Sequence, residues 1–425
     1  MTALFALYLV LLIIRPQEFV PGLMGASILQ TVMIACLIAC ALKPDKRLSL
    51  PPYILAACLL IYAPLTIGLN GWWGGAMIAF TRFIPIIAIF LIASIAARSL
   101  RTLHLYMYVV LACACVLVDY AAIQLHTGVG PWAGIVPMQG RPYYTGIFGD
   151  PNDLGQLFVI GIGFAFCLLA ADQSLLMILL LLGSVGWLCY GAILTNSRGA
   201  LLATLTLFAL EGSRRYGRIA VAIAAVLAVP ALLAVTRLSQ LSAGEESATG
   251  RLDAWYQGIQ LLREHPLFGV GFGFFITFND LTAHNSIVLP MAELGILGLT
   301  MWLGIIWYSA RMLWWLGYGP HASADRVRAL GEATNEADRA TYREIMAARG
   351  LLTTFAGYGV GAFFLSQSYS APLFLLCGLA VARFAAGSSV LPQPPTYRLL
   401  PDVMRLGGVT IASIVGMYLT VKAAL

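Results

Sequence analysis

Apolar runs about 20 residues long recur from one end of this chain to the other, and no other feature of the sequence constrains the fold so tightly. A helix needs a run of that length to cross a hydrocarbon layer of ~30 Å. Hydrophobic residues make up 60% of the 425 and charged ones 10%, which leaves little polar surface for a water-soluble body. Lipid offers no partner for backbone N–H and C=O groups, so only helices and closed barrels can span it, and these runs are too long and too evenly apolar for barrel strands. The expected fold class is an all-α polytopic membrane protein, one integral membrane domain over residues 1–425. Spans are expected at about 3–14, 23–42, 51–69, 75–97, 103–125, 153–171, 174–194, 199–211, 219–236, 285–316, 350–368, 372–386 and 405–424, giving 12–13 transmembrane helices if one short piece merges or is re-entrant. The first lacks a basic n-region and a small-residue cleavage site, and reads as an uncleaved helix. All eight cysteines fall inside apolar runs, where they read as small packing residues with neither a disulfide frame nor a zinc site.

Orientation follows from the basic residues. With the N-terminus inside, seventeen Lys and Arg fall in inner loops and seven in outer ones, while Arg82 falls within a span; this bias puts the N-terminus in the cytoplasm. The net charge of +6 is then a matter of topology, and gives no reason to invoke nucleic acid. The segment 317–349 mixes both signs of charge and reads as a cytoplasmic connector that can form one or two surface helices.

Two outer loops are longer than topology requires. The first, 126–152, is rich in Gly, Pro and aromatic residues and cannot be a regular helix. The second, 237–283, opens on a polar turn in which Ser247 or Thr249 can cap a helix over about 250–264 that lies along the membrane surface. An outward arginine runs against the positive-inside bias, so Arg141, Arg198 and Arg251 each call for a reason. Arg198 stands in TNSRGALL, where Asn196 and its neighbours supply amide and hydroxyl groups at the head of a helix, a setting suited to a phosphate. The plain alternatives are a snorkelling Arg198, a solvated Arg251 and an interfacial His284. In combination, two arginines can grip a diphosphate and a neutral imidazole can take a hydroxyl proton near pH 7, which together make a site for glycosyl transfer. In GDPND, Asp150 or Asn152 can cap a helix or touch a sugar; Trp132, Tyr143 and Tyr144 can stack on sugars or belong to the interfacial aromatic belt.

The segments TNSRG, GRLDAWYQGIQLLREHPLFGVGFG and HNSIVLPMAELGILGL, in that order and at these distances, resemble the O-antigen ligase and O-antigen polymerase superfamily of bacterial envelopes. The resemblance covers about 150–310, where GDPNDLG also fits, and RPQEF near the N-terminus resembles the exosortase-associated O-glycosylation ligase branch. It implies a GT-C-type fold in the bacterial inner membrane, an active site facing the periplasm, and a donor glycan on undecaprenyl diphosphate. The acceptor is lipid A–core oligosaccharide for a ligase, and another lipid-linked glycan for a polymerase. Carried over, Arg198 and Arg251 hold the diphosphate, and His284 orients or deprotonates the acceptor hydroxyl, while Arg82, Arg141, Asn196, Asn285 and Trp255 are further substrate contacts. A single displacement inverts the anomeric centre without a covalent intermediate, and the scheme needs neither metal nor cofactor. Arg82 is expected to face the bundle interior and pair with Asp119, Glu293 or the diphosphate. A transporter is the main non-enzymatic rival, although the unusual residues gather at one surface and not at the midplane, and no repeat relates the two halves.

Overall fold

The computed structural model describes residues 1–44, 48–132, 134–171, 173–235, 241–280 and 282–424; Lys46, Arg47 and Arg237, used above for orientation and loop boundaries, lie outside the described residues. The described residues form helices α1 (Thr2–Ile13), α2 (Ile28–Ala41), α3 (Pro51–Leu69), α4 (Trp73–Ala96), α5 (Leu100–Thr127), α6 (Pro151–Leu169), α7 (Leu175–Leu194), α8 (Arg198–Val235), α9 (Leu241–Glu264), α10 (Val288–Tyr318), α11 (Ala324–Glu332), α12 (Glu336–Ala362), α13 (Ala371–Gly387) and α14 (Leu399–Ala424). Seven of these, α3 to α7, α10 and α14, are long and apolar enough to cross a membrane, and α1, α2 and α13 are shorter apolar helices. The chain is a multi-pass α-helical membrane protein.

Differences from the expected spans have local causes. The pair 199–211 and 219–236 appears as α8, broken at Gly217, whose φ of 81° and ψ of 165° only glycine adopts readily. The expected connector 317–349 has no boundary at its far end, because α12 begins at Glu336 in a charged stretch and runs unbroken into apolar sequence. A helix satisfies its own backbone, so it need not stop where its surroundings change from water to lipid.

The core sits around α6, in which every residue except Asp153 and Leu169 is buried, with α5, α7, α8 and α12 packed about it. By contrast, α7 and α14 leave most of their surfaces exposed at the perimeter. A second break lies in α10 at Gly295 (φ 64°, ψ −167°), and the 266–271 segment docks into it. Val270 and Gly271 donate their N–H groups to the carbonyls of Ala292 and Glu293 at 3.0 Å, and Ile296 N–H reaches Pro266 O at 2.8 Å. A Cβ on Gly295 would stand 2.5 Å from the Leu267 main chain, so this approach needs glycine. Tyr62 clamps the junction by donating to Leu267 O and Leu294 O.

Candidate active site

The irregular 128–150 segment, the α7–α8 turn, α9 and the turn before α10 converge at one end of the bundle. Arg141 is presented by a tight turn in which Met138 and Arg141 exchange both backbone hydrogen bonds, with Gln139 (φ 50°) and Gly140 (φ 71°) in left-handed conformation. Its guanidinium is half-buried and bridges two elements, Nε donating to Thr195 O at 2.8 Å and Nη2 to Asn152 Oδ1 at 2.7 Å. Thr195 ends α7, Asn196 turns the chain with φ 51°, and Ser197 Oγ accepts from Ala200 N–H at 3.3 Å, which makes Arg198 the exposed first residue of α8. Asp150 caps α6, accepting from Asn152 N–H at 2.6 Å, so the capping reading of GDPND holds.

Electrostatics shows which groups share the site. Arg251, half-buried on α9, has its guanidinium pKa lowered by burial and then by Arg198, with Asp150 opposing. Burial also lowers that of Arg141, with Asp150 opposing and Arg251 adding to the shift. Burial and then the Arg251 charge hold the His284 imidazole below the ordinary 6.5, against Asp150. Asp150 thus faces Arg141, Arg251 and His284, while Arg198 adds its charge to that of Arg251, and the repulsion among these cations favours a polyanion between them. At the opposite end the basic residues are provided for within the fold: Arg383, 1% exposed, pairs with Glu344; Arg311 and Arg405 reach Asp402 at 3.6 and 2.9 Å; Arg349 lies over the Tyr318 ring.

The turn carrying His284 is held by a segment that sequence reasoning passed over, residues 363–370 between α12 and α13. His284 itself is in left-handed conformation (φ 44°) and donates its backbone N–H to Ser366 Oγ at 2.9 Å. Ser286, buried, accepts from Gln367 N–H at 2.9 Å and turns its single proton toward Ala362 O and Leu365 O, both at 2.7 Å. Ser368 Oγ donates to Ser286 O, and Gln367 Nε2 donates to Asp153 Oδ1 of α6. The sequence signal was the polar run SQSYS among apolar spans.

Several expected contacts are reassigned. Asn285 is fully buried; its Oδ1 caps α10 by accepting from Ile287 and Val288 N–H at 2.8 and 3.0 Å, and Nδ2 points to Met417 Sδ at 3.8 Å, which leaves no amide edge for substrate. Trp255 is buried edge-on against Phe363 at 5.7 Å, so it is a core residue of α9. That helix already has helical backbone from Leu241, well before the expected cap at Ser247 or Thr249, and it buries Ala254, Leu261 and Leu262 against the protein, so it is not a helix lying on lipid alone. Arg82 does not face the interior. It is exposed on α4 beside Met77 and Ile78, and meets no acid among the described residues. Asp119 is also exposed, and Glu293, buried, accepts from Phe275 N–H at 3.3 Å in the segment that docks on α10. Asn196 is exposed beside Arg198.

Trp132 and Tyr144 of the first loop make structural contacts. Trp132 Nε1 donates to Tyr144 OH at 3.0 Å, and the fully buried Tyr144 donates to Ile14 O. RPQEF makes the neighbouring corner: Arg15 (φ 54°) pairs with Glu18, which accepts from Thr145, so the motif ties α1 to the loop carrying Arg141.

Residues 175–303 match the family model described as O-antigen ligase, a segment that runs from α7 into α10 and holds Arg198, Arg251 and His284 but not Arg141 or Asp150. A search of curated proteins finds no match to the chain. Together with the helical membrane architecture, the family match supports a member of the O-antigen ligase superfamily acting at a membrane.

Proposed function

We propose that the chain is an O-antigen ligase-like glycosyltransferase of GT-C type in the bacterial inner membrane, moving a glycan from undecaprenyl diphosphate to an acceptor hydroxyl, in the first instance on lipid A–core oligosaccharide, at the periplasmic face. The observation that carries the reading is the positive charge gathered around His284: Arg141 and Arg251, which face Asp150, and Arg198, which faces Arg251. A diphosphate needs planar, two-point donors, and arginine supplies them. As the bond from the anomeric carbon to the diphosphate oxygen breaks, Arg198 and Arg251 stabilise the charge growing on the leaving group. The acceptor oxygen forms the new bond from the opposite side of the ring and its proton passes to His284, which is neutral at pH 7 because burial and Arg251 disfavour its charged form. The step inverts the anomeric centre, and the neutralising charge a metal would bring is supplied by arginine. Arg141 positions the site by joining Thr195 to Asn152; Asn196 and exposed Arg82 remain candidate contacts for the donor's head and the adjoining lipid.

Purified protein, undecaprenyl-diphosphate-linked glycan and lipid A–core test the reading directly. Extension of the acceptor in wild type, lost in His284→Ala with donor binding retained, supports it. Extension of the lipid-linked glycan alone would make the chain a polymerase, and export of the donor without transfer would make it a transporter.

A further inference from the structure

A cavity lies at the same end of the bundle, between α9 and α14. It measures about 470 Å³ and is lined by Tyr256, Gln260 and Arg263 of α9 and by Tyr418, Val421 and Lys422 of α14. Successive residues of an α-helix are ~100° apart, so Tyr256, Gln260 and Arg263 share a face about a third of a turn from the Arg251 and Trp255 face. No carboxylate lines the cavity. Arg263 Nη1 donates only to the neutral Gln260 Oε1 at 3.1 Å, and among the described residues Lys422 meets no acid. On α14 an exposed stripe, Ile411, Val415 and Tyr418 at 64, 48 and 51% exposure, runs at helical spacing up to Lys422. Met417, on the other side of that helix, takes the hydrogen bond from Asn285, next to His284.

Two cations that meet no acid among the described residues, two tyrosine rings and an apolar track leading away from them match an amphiphile with an anionic, sugar-bearing head. We propose that the α9–α14 groove seats the phosphorylated head of the membrane-anchored glycolipid acceptor, with its acyl chains along the Ile411–Val415–Tyr418 stripe. The inference rests on and deepens the glycosyltransferase reading by giving the acceptor a place on a face of α9 about a third of a turn from Arg251. Arg263 and Lys422 grip phosphate, and Tyr256 and Tyr418 offer faces to sugar rings.

The test uses the full chain in nanodiscs and lipid A–core as the probe, intact or enzymatically dephosphorylated, with binding read by native mass spectrometry. The Arg263→Gln, Lys422→Gln double variant is expected to bind the intact probe about tenfold more weakly, because it loses two charge-assisted grips on phosphate that solvent exposure already weakens. Its binding of the dephosphorylated probe and of the lipid-linked donor should match wild type. Should the double variant fold poorly, Lys422→Gln alone, in the exposed last turn, is expected to lose about threefold. Equal affinity of wild type and variants for the intact probe overturns the proposal, as does displacement of the probe by millimolar inorganic phosphate, which would mark a soluble-anion site. If the probe binds in the groove but no glycan is transferred, the groove stands and the transferase reading falls. If transfer proceeds with an unchanged acceptor KM in the double variant, the reverse holds.

Discussion

Ser286→Ala removes one oxygen, and its consequences can be followed atom by atom. The hydroxyl accepts from Gln367 N–H and gives its proton to Ala362 O and Leu365 O, at 4% residue exposure. Ala362 O retains the N–H groups of Ser286 and Leu365 at 3.3 and 3.2 Å, so the groups stranded are Gln367 N–H and Leu365 C=O. At ~1–3 kcal/mol for each buried unsatisfied group, with some relaxation, the loss is about 2–4 kcal/mol. For a chain of 425 residues that is a fall of roughly 2–4 °C in the apparent Tm in detergent. The same change loosens the 363–370 segment that holds His284 N–H, and a displacement of ~1 Å at a reacting group can cost ~100-fold in rate. Ser366→Ala is the control: Ser366 is only half-buried, so water can replace its hydroxyl, and the melt should move by less than ~1 kcal/mol equivalent while transfer still falls. A wild-type melt and rate for Ser286→Ala, or a slow Ser286→Ala beside a fully active Ser366→Ala, would refute the argument that this segment positions the imidazole.

Arg251→Lys should keep the fold and lose ~10- to 100-fold in kcat/KM, because an ammonium keeps the charge without the planar grip; full activity at normal expression would show that two-point binding is not needed. The acid limb of the transfer profile should lie below pH 6.5, since the His284 imidazole is held below that value; histidine-selective NMR should find its pKa raised in Arg251→Gln and lowered further in Asp150→Asn, and a shift of the opposite sign in either variant would contradict the site's electrostatics. Gly295→Ala should abolish or strongly reduce folded protein, because φ 64°, ψ −167° is a glycine conformation costing other residues ~1–3 kcal/mol and the added Cβ meets the Leu267 main chain at 2.5 Å; a monodisperse, normally melting variant would show that the α10 break can be relaxed. Arg82→Met should leave the melt unchanged, since no described residue pairs with Arg82, and a destabilised variant would reveal an ion pair.

Class and site residues were legible in the sequence for different reasons. Span length and apolar content report directly on the solvent a helix sits in, so α3 to α7 and α10 were expected close to where they lie. Arg198 and Arg251 stood out because the positive-inside bias makes an outward cation unusual, and His284 because it lies on the same side within the HNSIVLPMAELGILGL segment. What failed depended on which side of a helix a residue occupies. Trp255 and Asn285 sit among functional neighbours in the chain but face the core, while Arg82 sits in an apolar run but faces outward. Nothing in composition distinguishes these faces, because lipid-facing and buried surfaces are both apolar. The SQSYS segment was missed for another reason: its partners, Ser286 and Asp153, are 81 and 214 residues away.

The two ends of the bundle use arginine in opposite ways, and the contrast bears on how binding at the site would be driven. At the end holding Arg383, Arg311 and Arg405, each guanidinium reaches a carboxylate within 4 Å, Arg383 with Glu344 to itself and Arg311 and Arg405 sharing Asp402. Around His284, Arg141 and Arg251 face Asp150 while Arg198 stands near Arg251, whose pKa is lowered by burial first and by the Arg198 charge second. A diphosphate entering that space adds attraction and removes repulsion together. Its dependence on salt should therefore be steep, because both contributions act between partly exposed groups that mobile ions screen over ~8–10 Å. On the proposed reading Asp150 would have a second consequence beyond capping α6: by partly neutralising Arg141 and Arg251 it would moderate the hold on the leaving diphosphate, so Asp150→Asn should tighten diphosphate binding while slowing its release. Faster turnover in that variant at saturating donor would show that the carboxylate is not there to limit product affinity.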